Sequence, residues 1–483
     1  MSDSLCSWVD PRKIAPSRIN AEFYKPEYTR LDGVLESSGL PLKSLKRLSR
    51  LFTGPFGSKL PASLYNTEGG IPLLRVQNIG ELFIRETDMA RIPLDVHQDI
   101  IRSKLESGDI ALAKAGRLGA LSRIPNHIKE CNITQHIVGI KVNKNKVNQD
   151  YLSAFLLSKY GKYQLQRQAV GTIIKYLGIE ETRDAKITLP HEAIQKFIGK
   201  YISHAQALNA ISIDSLSQAD KCFNIIFRTH EFSPSKELHN IVDLSNLQER
   251  ISGDFYLKKY FDLENHLERL PFQLRTIGEL STEIIRTSTP QQNGSGSIPC
   301  ILTSDIDYFS VDWLNPKLTI NKESYERSAG ILSNYDIVYS SICSPSGKAS
   351  VVLPEWLPMV VGGDVTIVRV KENVNPAFIS LYLNSTFGIM QGERYSRGSV
   401  QRRVYPEDIS QFLISLPSKD EQEKIGNLVL KHQRYNDKSK EMILGACGLI
   451  EDLIEGKLDT DAILSGKLKA PTWEDIEKEL EGI

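Results

Sequence analysis

The stretch RINAEFY, from Arg18 to Tyr24, returns 232 positions later as RISGDFY, from Arg250 to Tyr256. Arginine and isoleucine open both stretches, and an acidic residue followed by Phe-Tyr closes both. A period above 200 residues is far longer than a solenoid repeat, so each half of this 483-residue chain needs a hydrophobic core of its own. The sequence therefore predicts a tandem duplication of one domain.

The similarity between the two halves continues along most of the chain. Ile71-Pro72 corresponds to Ile298-Pro299, and Leu189-Pro190 corresponds to Leu416-Pro417, each at a separation of 227. Several glycines and polar residues are shared at the same separation: Gly161, Gln164, Arg167, Gly171 and Gly199 correspond to Gly388, Gln391, Arg394, Gly398 and Gly426. Two related domains on one chain favour two related binding events.

The composition, with 41% hydrophobic and 24% charged residues, is that of an ordinary globular protein. No apolar run reaches the roughly 18 residues that span a bilayer, and the N-terminal residues lack the basic-then-apolar order of a signal peptide. The six cysteines are scattered without a C-x-x-C pair, which argues against zinc. We therefore expect a cytoplasmic chain with no membrane partner and no metal site.

The formal net charge of zero hides an uneven distribution of charge. Residues 1–190 hold 28 Lys and Arg against 19 Asp and Glu, whereas residues 241–417 hold 16 against 20. A basic domain favours a polyanionic partner, because neutralised phosphates release condensed counterions, although many basic surfaces are only solvated. Charge alone thus gives the first half a moderate indication of nucleic-acid binding.

Short apolar runs in matching places predict strands in both copies. They are Ile71–Ile79, Asp109–Ala113 and Ile137–Val142 in the first copy, and Ile298–Ile306, Asp336–Ser340 and Val365–Val370 in the second. Helical spacing follows each set, at Gln149–Gln168 and at Pro376–Arg394. Each half therefore opens with a strand-rich body that ends in a helical segment.

A long helix is predicted after each Leu-Pro pair. The inward-facing positions step by three and four, through Ile198, Tyr201, Ala205, Leu208, Ser212, Ser215, Ala219, Cys222 and Ile226 in the first copy, and through Ile425, Leu428, His432, Tyr435, Ser439, Met442, Ala446, Leu449 and Leu453 in the second. We call each of these rows of inward-facing positions a seam. Either seam alone would fit an ordinary helix face that packs on a core. Two matching seams favour an antiparallel coiled coil that acts as a spacer, and the predicted fold class is α+β.

The segment that leads into each long helix resembles a known family. It reads GTIIKYLGIEETRDAKITLPHEAIQKFI from Gly171 to Ile198, and GSVQRRVYPEDISQFLISLPSKDEQEKI from Gly398 to Ile425. Together with the duplication, these segments resemble the DNA-specificity subunit of type I restriction-modification systems. The second copy is the closer match, since His191–Gln195 lacks the acidic, Glu- and Gln-rich cluster at the start of the second helix.

The resemblance implies a non-catalytic subunit that reads a bipartite double-stranded DNA target. It implies recruitment of two adenine methyltransferase subunits, which would bind S-adenosylmethionine, and of a restriction and translocation subunit. Target-recognition domains are then expected at residues 1–190 and 241–417, helical spacers at residues 191–240 and 418–460, and a C-terminal tail at residues 461–483.

Side chains that could contact DNA are those with fork geometry or positive charge, because Arg pairs with guanine, Asn or Gln with adenine, and Lys with phosphate. In the first copy the candidates are Arg75, Gln77, Asn78, Lys114, Arg117, Gln135, His136, Lys175 and Tyr176. In the second copy they are Ser340, Ser341, Lys348, Arg394, Arg397, Gln401, Arg402 and Arg403. The four arginines within ten residues of the second copy are the stronger cluster, since the surrounding domain is acidic.

Catalytic interpretations have little support in the sequence. Asp109 and Lys114 lack the second carboxylate that a metal-dependent nuclease needs, and Gly54–Lys59 does not have the spacing of a phosphate-binding loop. The Asn/Asp-Pro-Pro-aromatic tetrapeptide of adenine methyltransferases is absent. We expect no enzyme activity and no bound cofactor. The alternatives are a specificity factor of another phage-defence system and a duplicated protein-interaction scaffold, which salt-dependent DNA binding would distinguish from a DNA reader.

Overall fold

The computed structural model describes residues 9–14, 19–65, 69–86, 88–171, 175–243, 247, 250, 252–290, 296–342 and 347–481. The helices of the first copy are α1 (Pro26–Ser37), α2 (Leu45–Leu48), α3 (Leu94–Asp99), α4 (Gln149–Leu157), α5 (Lys159–Arg167), α6 (Ile179–Arg183) and α7 (Glu192–Ile226). Its strands are β1 (Leu42–Ser44), β2 (Ser49–Thr53), β3 (Ile71–Leu74), β4 (Ala90–Ile92), β5 (Lys104–Glu106), β6 (Ile110–Ala113), β7 (Leu121–Arg123), β8 (Glu130–Ile133), β9 (Ile137–Val142) and β10 (Lys186–Thr188).

The second copy repeats most of this order of elements. Its helices are α8 (Lys258–Arg269), α9 (Ile277–Leu280), α10 (Lys322–Glu326), α11 (Pro376–Asn384), α12 (Thr386–Tyr395), α13 (Pro406–Ile409), α14 (Lys419–Ile454), α15 (Thr460–Leu464) and α16 (Trp473–Glu481). Its strands are β11 (Gln273–Thr276), β12 (Ser281–Arg286), β13 (Ile298–Ile301), β14 (Ile306–Asp307), β15 (Ser310–Val311), β16 (Thr319–Ile320), β17 (Ile337–Ser340), β18 (Ala349–Val351), β19 (Val360–Val361), β20 (Val365–Val370) and β21 (Leu413–Leu416).

The two copies share the topology of their main sheet, whereas their second sheets differ, with the order β4-β3-β8-β5 in the first copy and β16-β13-β19 in the second. An antiparallel sheet has the order β2-β9-β6-β7 in the first copy and β12-β20-β17-β18 in the second. A second sheet contains one parallel pair in each copy, β3 with β8 and β13 with β19. The pairs β1-β10 and β11-β21 join the start of each copy to the strand before its Leu-Pro pair. The predicted duplication and the α+β fold class are therefore confirmed.

The helical segment predicted in each copy is a pair of helices, broken at Ser158 and at Ser385. Each serine has an extended backbone and caps the next helix, because its Oγ accepts a hydrogen bond from the backbone N–H of the glycine three residues later. That glycine approaches the preceding helix so closely that a Cβ on Gly161 would lie 2.3 Å from the Phe155 carbonyl oxygen, and one on Gly388 would lie 2.5 Å from that of Leu383. The break is thus a shared feature of the duplicated domain.

The chain divides into two compact units, and both long helices are shared between them. The first unit contains Met1–Ala207 and Lys438–Glu479, and the second contains Leu208–Asp437 and Leu480–Ile483. Each unit therefore holds the body of one copy, about half of α7 and about half of α14.

The long helices run antiparallel where they meet within each unit. In the first unit, the Ser439 Oγ donates to the Ala205 carbonyl at 2.8 Å, and a Cβ on Gly445 would lie 3.4 Å from the Tyr201 ring. In the second unit, the Ser212 Oγ donates to the His432 carbonyl at 2.9 Å. Ser212, His432 and Ser439, which interrupt the predicted seams, thus hydrogen-bond from one helix to the other. The predicted antiparallel pairing is observed at these contacts.

Each body also holds the start of its own long helix by the same hydrogen bonds. The backbone N–H of Asn375 donates to the Gln422 Oε1 at 3.1 Å, and the Gln422 Nε2 donates to the Pro417 carbonyl at 2.9 Å. In the first copy, Gln195 makes these bonds with Asn148 and Pro190, at 3.0 and 2.9 Å. The difference in sequence at His191–Gln195 therefore leaves the helix junction intact.

Replacement of Gly426 by alanine is expected to destabilise this junction. Its Cβ would lie 2.2 Å from the Oδ1 of Asn375, which caps α11 by accepting from the Phe378 N–H at 3.0 Å. Loss of the cap and crowding should lower the free energy of unfolding by about 1–2 kcal/mol. Gly448→Ala, in the same helix, has no atom within 4 Å of the new Cβ and should be neutral or stabilising. Urea unfolding followed by circular dichroism measures both, and equal effects of the two substitutions would contradict this account.

Candidate nucleic-acid interface

A short β-hairpin follows the second helix of the pair in each copy. In the second hairpin, residues 397–403, the backbones of Arg397 and Arg403 exchange two hydrogen bonds of 2.8 Å. The first hairpin has its described arms at residues 170–171 and 175–176, where Val170 and Tyr176 exchange bonds of 2.9 and 2.8 Å. These pairs lie 227 positions apart, so the hairpin is part of the duplicated domain.

A glycine with positive φ opens each hairpin. The φ angle is +116° at Gly171 and +112° at Gly398, where other residues are strained. A Cβ on Gly398 would also lie 2.6 Å from the Gln401 carbonyl oxygen. The glycine that begins each of the two segments resembling the family is therefore required by the turn.

The hairpins are anchored beside the ends of the central strands β6 and β17. The Leu177 N–H donates to the Lys114 carbonyl at 2.8 Å, and the Lys114 N–H donates to the His136 carbonyl at 3.0 Å. In the second copy, Val404 donates to Ser341 at 2.9 Å, and Ser341 donates to Asp364 at 2.9 Å. The same backbone frame thus brings together Lys114, His136 and Tyr176 in the first copy, and Ser341, Asp364 and Arg403 in the second.

The first hairpin carries a basic and aromatic cluster. Lys114 is almost buried, at 6% exposure, and its ammonium lies 4.7 Å from the centre of the Tyr176 ring, a cation–π contact. The His136 and Tyr176 ring centres are 6.2 Å apart, and the Gln135 Nε2 lies 3.1 Å from the His136 Nε2. Lys175 is exposed, with Glu22 at 3.5 Å. These five predicted residues therefore lie at one edge of the domain.

A tight turn formed by residues 75–78 lies beside this edge. Asn78 is fully buried: its Oδ1 accepts from the Arg75 N–H at 3.0 Å, and its Nδ2 donates to the Arg85 carbonyl at 2.9 Å. Gln77 and Arg117 are exposed, and the Arg117 Nη1 donates to the Ile79 carbonyl at 3.2 Å. Burial, together with Arg85, lowers the pKa of Arg117. Among these candidates, the burial of Asn78 favours a structural role over DNA contact.

Ion pairs hold the arginines of the second hairpin. The Arg403 guanidinium donates to both carboxylate oxygens of Asp364, at 3.0 and 3.1 Å. Arg402 pairs with Asp254 at 2.9 Å, and Arg397 pairs with Asp408, a hydrogen bond that raises the pKa of Arg397. The side chain of Arg397 nevertheless remains 50% exposed. These arginines are therefore fixed in direction while part of each stays open to solvent.

Arg394 lies in the core. It is 5% exposed, its Nε donates to the Phe255 carbonyl at 3.2 Å, and its Nη1 pairs with Glu264 at 2.5 Å. Arg167 makes the same contacts in the first copy, with the Phe23 carbonyl and Asp32. The two guanidinium groups lie 4.5 Å from the Phe255 ring centre and 3.9 Å from that of Phe23. This shared clamp accounts for the phenylalanine in the RINAEFY and RISGDFY stretches, and it favours a structural role for Arg394 over the predicted DNA contact.

The serine candidates of the second copy are also buried. Ser341 is 2% exposed and its Oγ lies 2.7 Å from the Thr366 Oγ1, while Ser340 donates its backbone N–H to the Lys348 carbonyl at 2.8 Å. The Lys348 side chain is at the surface, paired with Asp307 at 2.8 Å. Of these three candidates, Lys348 alone has a charged group that faces solvent.

Several residues beside the second hairpin were not predicted from the sequence. An open groove next to it is lined by Arg250, Asp254, Arg397 and Arg402. Arg250, the first residue of RISGDFY, donates to the carbonyls of Tyr395 and Ser396 at 2.9 and 2.6 Å. Its repetition in the motif was a signal for this position. No sequence pattern marks Val400, which is fully exposed at the hairpin tip.

Neither a metal site nor a membrane span is found in the described parts of the chain. Within those ranges, no group of three or more His, Cys, Asp or Glu side chains is placed to hold a metal ion. No described helix combines the length and the apolar character needed to cross a bilayer.

Comparisons with known proteins give a family match and several relatives. Residues 271–442 match the type I restriction modification DNA specificity domain. The type I restriction enzyme MjaVIII specificity subunit of Methanocaldococcus jannaschii is 28% identical over 158 residues, which are 32% of this chain and 37% of the relative. The chain thus spans just over a third of the curated relative that it matches.

Two solved structures are similar at low sequence identity. The type I restriction-modification S subunit from M. genitalium has a TM-score of 0.43 and 12% identity, and the alignment covers 87% of this chain and 96% of that chain. The HsdS subunit from Thermoanaerobacter tengcongensis has a TM-score of 0.30 and 13% identity, with 87% and 97% covered.

Proposed function

We propose that this chain, whose residues 271–442 match the type I restriction modification DNA specificity domain, is the DNA-recognition subunit of a type I restriction-modification complex. Each copy would read one half of a split double-stranded target. The observation that carries the proposal is the duplicated hairpin, which presents different side chains on one backbone frame. A protein that reads two unlike half-sites needs this combination of a constant scaffold and variable contacts.

The chemistry at equivalent positions of the two hairpins supports unlike half-sites. Tyr176 occupies the place of Arg403, and Lys175 that of Arg402, at the separation of 227. Where the first copy has His136 beside the strand end, the second has Asp364. The first hairpin therefore offers a lysine and aromatic rings, which suit phosphate and base stacking. The second offers guanidinium groups and an amide, which suit hydrogen bonds to base edges.

On this proposal the chain does no chemistry and supplies only specificity. Two adenine methyltransferase subunits would dock with it and carry S-adenosylmethionine, and a restriction and translocation subunit would join for cleavage. The complex would act in the cytoplasm. Support for these assignments comes from the family resemblance and from the absence of recognisable catalytic motifs in the sequence.

Binding to duplex DNA should weaken steeply as salt rises. Each phosphate that a lysine or arginine neutralises releases counterions, so the logarithm of the association constant should fall against the logarithm of salt with a slope of about −0.9 per neutralised phosphate. Lys175→Ala should make that slope shallower by about one, because its ammonium is exposed beside the first hairpin. Fluorescence anisotropy of a labelled duplex, titrated at salt concentrations from about 50 to about 200 mM, measures both slopes.

The matched control is Lys469→Ala, which removes an exposed lysine from the C-terminal segment and should leave the slope unchanged. Binding that is independent of salt would exclude the DNA-reading proposal and favour a protein-interaction scaffold. Equal slope changes in the two variants would remove Lys175 from the interface.

A further inference from the structure

The tip of the second hairpin presents one apolar and one amide side chain to solvent. Val400 is 100% exposed, and its neighbour Gln401 is also exposed. The turn below them is fixed by Gly398 and by the paired backbones of Arg397 and Arg403. An isopropyl group held fully in water is unfavourable, so a partner that covers it would gain apolar burial.

The amide of Gln401 is oriented by a chain of hydrogen bonds. The Arg403 Nη2 donates to the Gln401 Oε1 at 3.0 Å. Arg403 is in turn fixed by its two hydrogen bonds to Asp364, which also lies 3.3 Å from the Arg286 Nη2. Across the described residues, no hydrogen bond is made by the Gln401 Nε2. The orientation of the Gln401 amide is therefore fixed before any ligand binds, and its Nε2 is available as a donor.

We propose that Gln401 reads the adenine of an A·T pair in the major groove of the second half-site, that Arg403 is its positioning residue, and that Val400 contacts a thymine methyl group. The inference rests on the proposed function and names the base that the second hairpin contacts. A two-stranded ribbon fits the major groove, where adenine offers the N7 acceptor and the N6 donor.

Adenine suits the fixed orientation better than guanine. The Gln401 Nε2 donates to N7, and the Oε1, which has two lone pairs, accepts from N6 while still bonded to Arg403. Guanine presents two acceptors on this edge, so the oriented amide oxygen would face another oxygen. Thymine carries the one methyl group of the major groove, which accounts for an exposed valine next to the amide.

The arrangement is confined to the second copy. Tyr176 replaces Arg403 in the first hairpin, and His136 occupies the place of Asp364, so these two described positions cannot form the ion pair that orients Gln401. The adenine contact is therefore expected in one half-site.

Base analogues test the inference at the level of single atoms. The target is first selected from randomised duplexes with the full chain, alone and with its methyltransferase subunits. Each adenine is then replaced by 7-deazaadenine, which lacks N7, and each thymine by uracil, which lacks the methyl group. For the wild type, one 7-deazaadenine in one half-site should weaken binding about tenfold or more. Gln401→Ala should bind all these duplexes equally at that position, and Val400→Ala should lose the response to one uracil.

Arg403→Lys tests the positioning role, since lysine keeps the charge but cannot bond Asp364 and Gln401 in the same fork. It should lower discrimination at the Gln401 position alone, and the double variant with Gln401→Ala should lose no more than Gln401→Ala. The matched control is Gln273→Ala, because Gln273 is exposed and its Oε1 accepts from the Arg275 Nη2 at 2.9 Å on β11. It should leave every analogue response intact.

The outcomes separate this inference from the proposed function. If the wild type selects no target sequence, the proposed function fails. If it selects a target but no 7-deazaadenine response disappears in Gln401→Ala, the adenine contact is overturned and the DNA-reading function stands. Additional loss in the double variant would overturn the positioning role of Arg403.

Discussion

Replacement of Arg394 by alanine is expected to destabilise the second unit by about 2–4 kcal/mol, because it removes a buried guanidinium from a partly buried ion pair and leaves a backbone carbonyl without its partner. The substitution leaves Glu264 without its 2.5 Å partner and frees the Phe255 carbonyl. It also removes the guanidinium that lies 4.5 Å from the Phe255 ring. The Phe255 end of the RISGDFY stretch would then lose its hydrogen bond to α12, while Arg250 still donates to the Tyr395 carbonyl.

Arg402→Ala is the matched control, because this arginine lies in the same cluster and its ion pair with Asp254 is exposed on both sides, at 43% and 48%. That pair should contribute no more than about 1 kcal/mol. Urea unfolding followed by circular dichroism compares the two. If both variants unfold at the same urea concentration, the distinction between a core arginine and surface arginines is wrong. Arg167→Ala should reproduce the large effect in the first unit, where Arg167 contacts Phe23 and Asp32.

Much of the fold could be predicted from the sequence, because the duplication shows the sequence pattern of each element twice. The strands at Ile137–Val142 and Val365–Val370 have the predicted bounds. The stepping pattern after each Leu-Pro pair corresponds to two helices of 35 and 36 residues. The resemblance to type I specificity subunits is confirmed by the family match at residues 271–442. The strands and the long helices could be predicted because apolar periodicity and turn residues lie within the sequence of each element itself.

Side-chain placement could be predicted less well, since it depends on partners far away in sequence. Arg394 and Arg397 are alike in type and in neighbouring sequence. Arg394 nevertheless lies in the core, where it pairs with Glu264, 130 positions earlier in the chain. Likewise, Asn78 is buried because the carbonyl of Arg85 and the N–H of Arg75 converge on its amide. The polar residues chosen from the sequence as DNA contacts therefore include both buried structural residues and exposed ones. For the exposed residues, DNA contact stays a prediction.

The two domains are expected to act on different halves of the target. Replacing Arg397 and Arg402 by alanine should weaken DNA binding, because both guanidinium groups line the groove beside the second hairpin. If either pairs with a guanine, discrimination at one half-site should fall by about 1–3 kcal/mol for each bidentate pair that the substitution removes. Discrimination at the other half-site should be unchanged, since Lys175 and Tyr176 contact other residues in the first unit. Lys175→Ala should affect the first half-site in the same selective way, or lower only the salt dependence if it contacts phosphate.

The central claim is that this chain carries two separate reading domains for one split target. A competition-binding panel tests it most directly, with every base pair of the selected target varied in turn for the wild type, the Arg397→Ala/Arg402→Ala variant and Lys175→Ala. The account predicts two groups of specified base pairs separated by an unspecified spacer, with each variant altering one group at most. A continuous target, or equal relaxation of both groups by either variant, would contradict it.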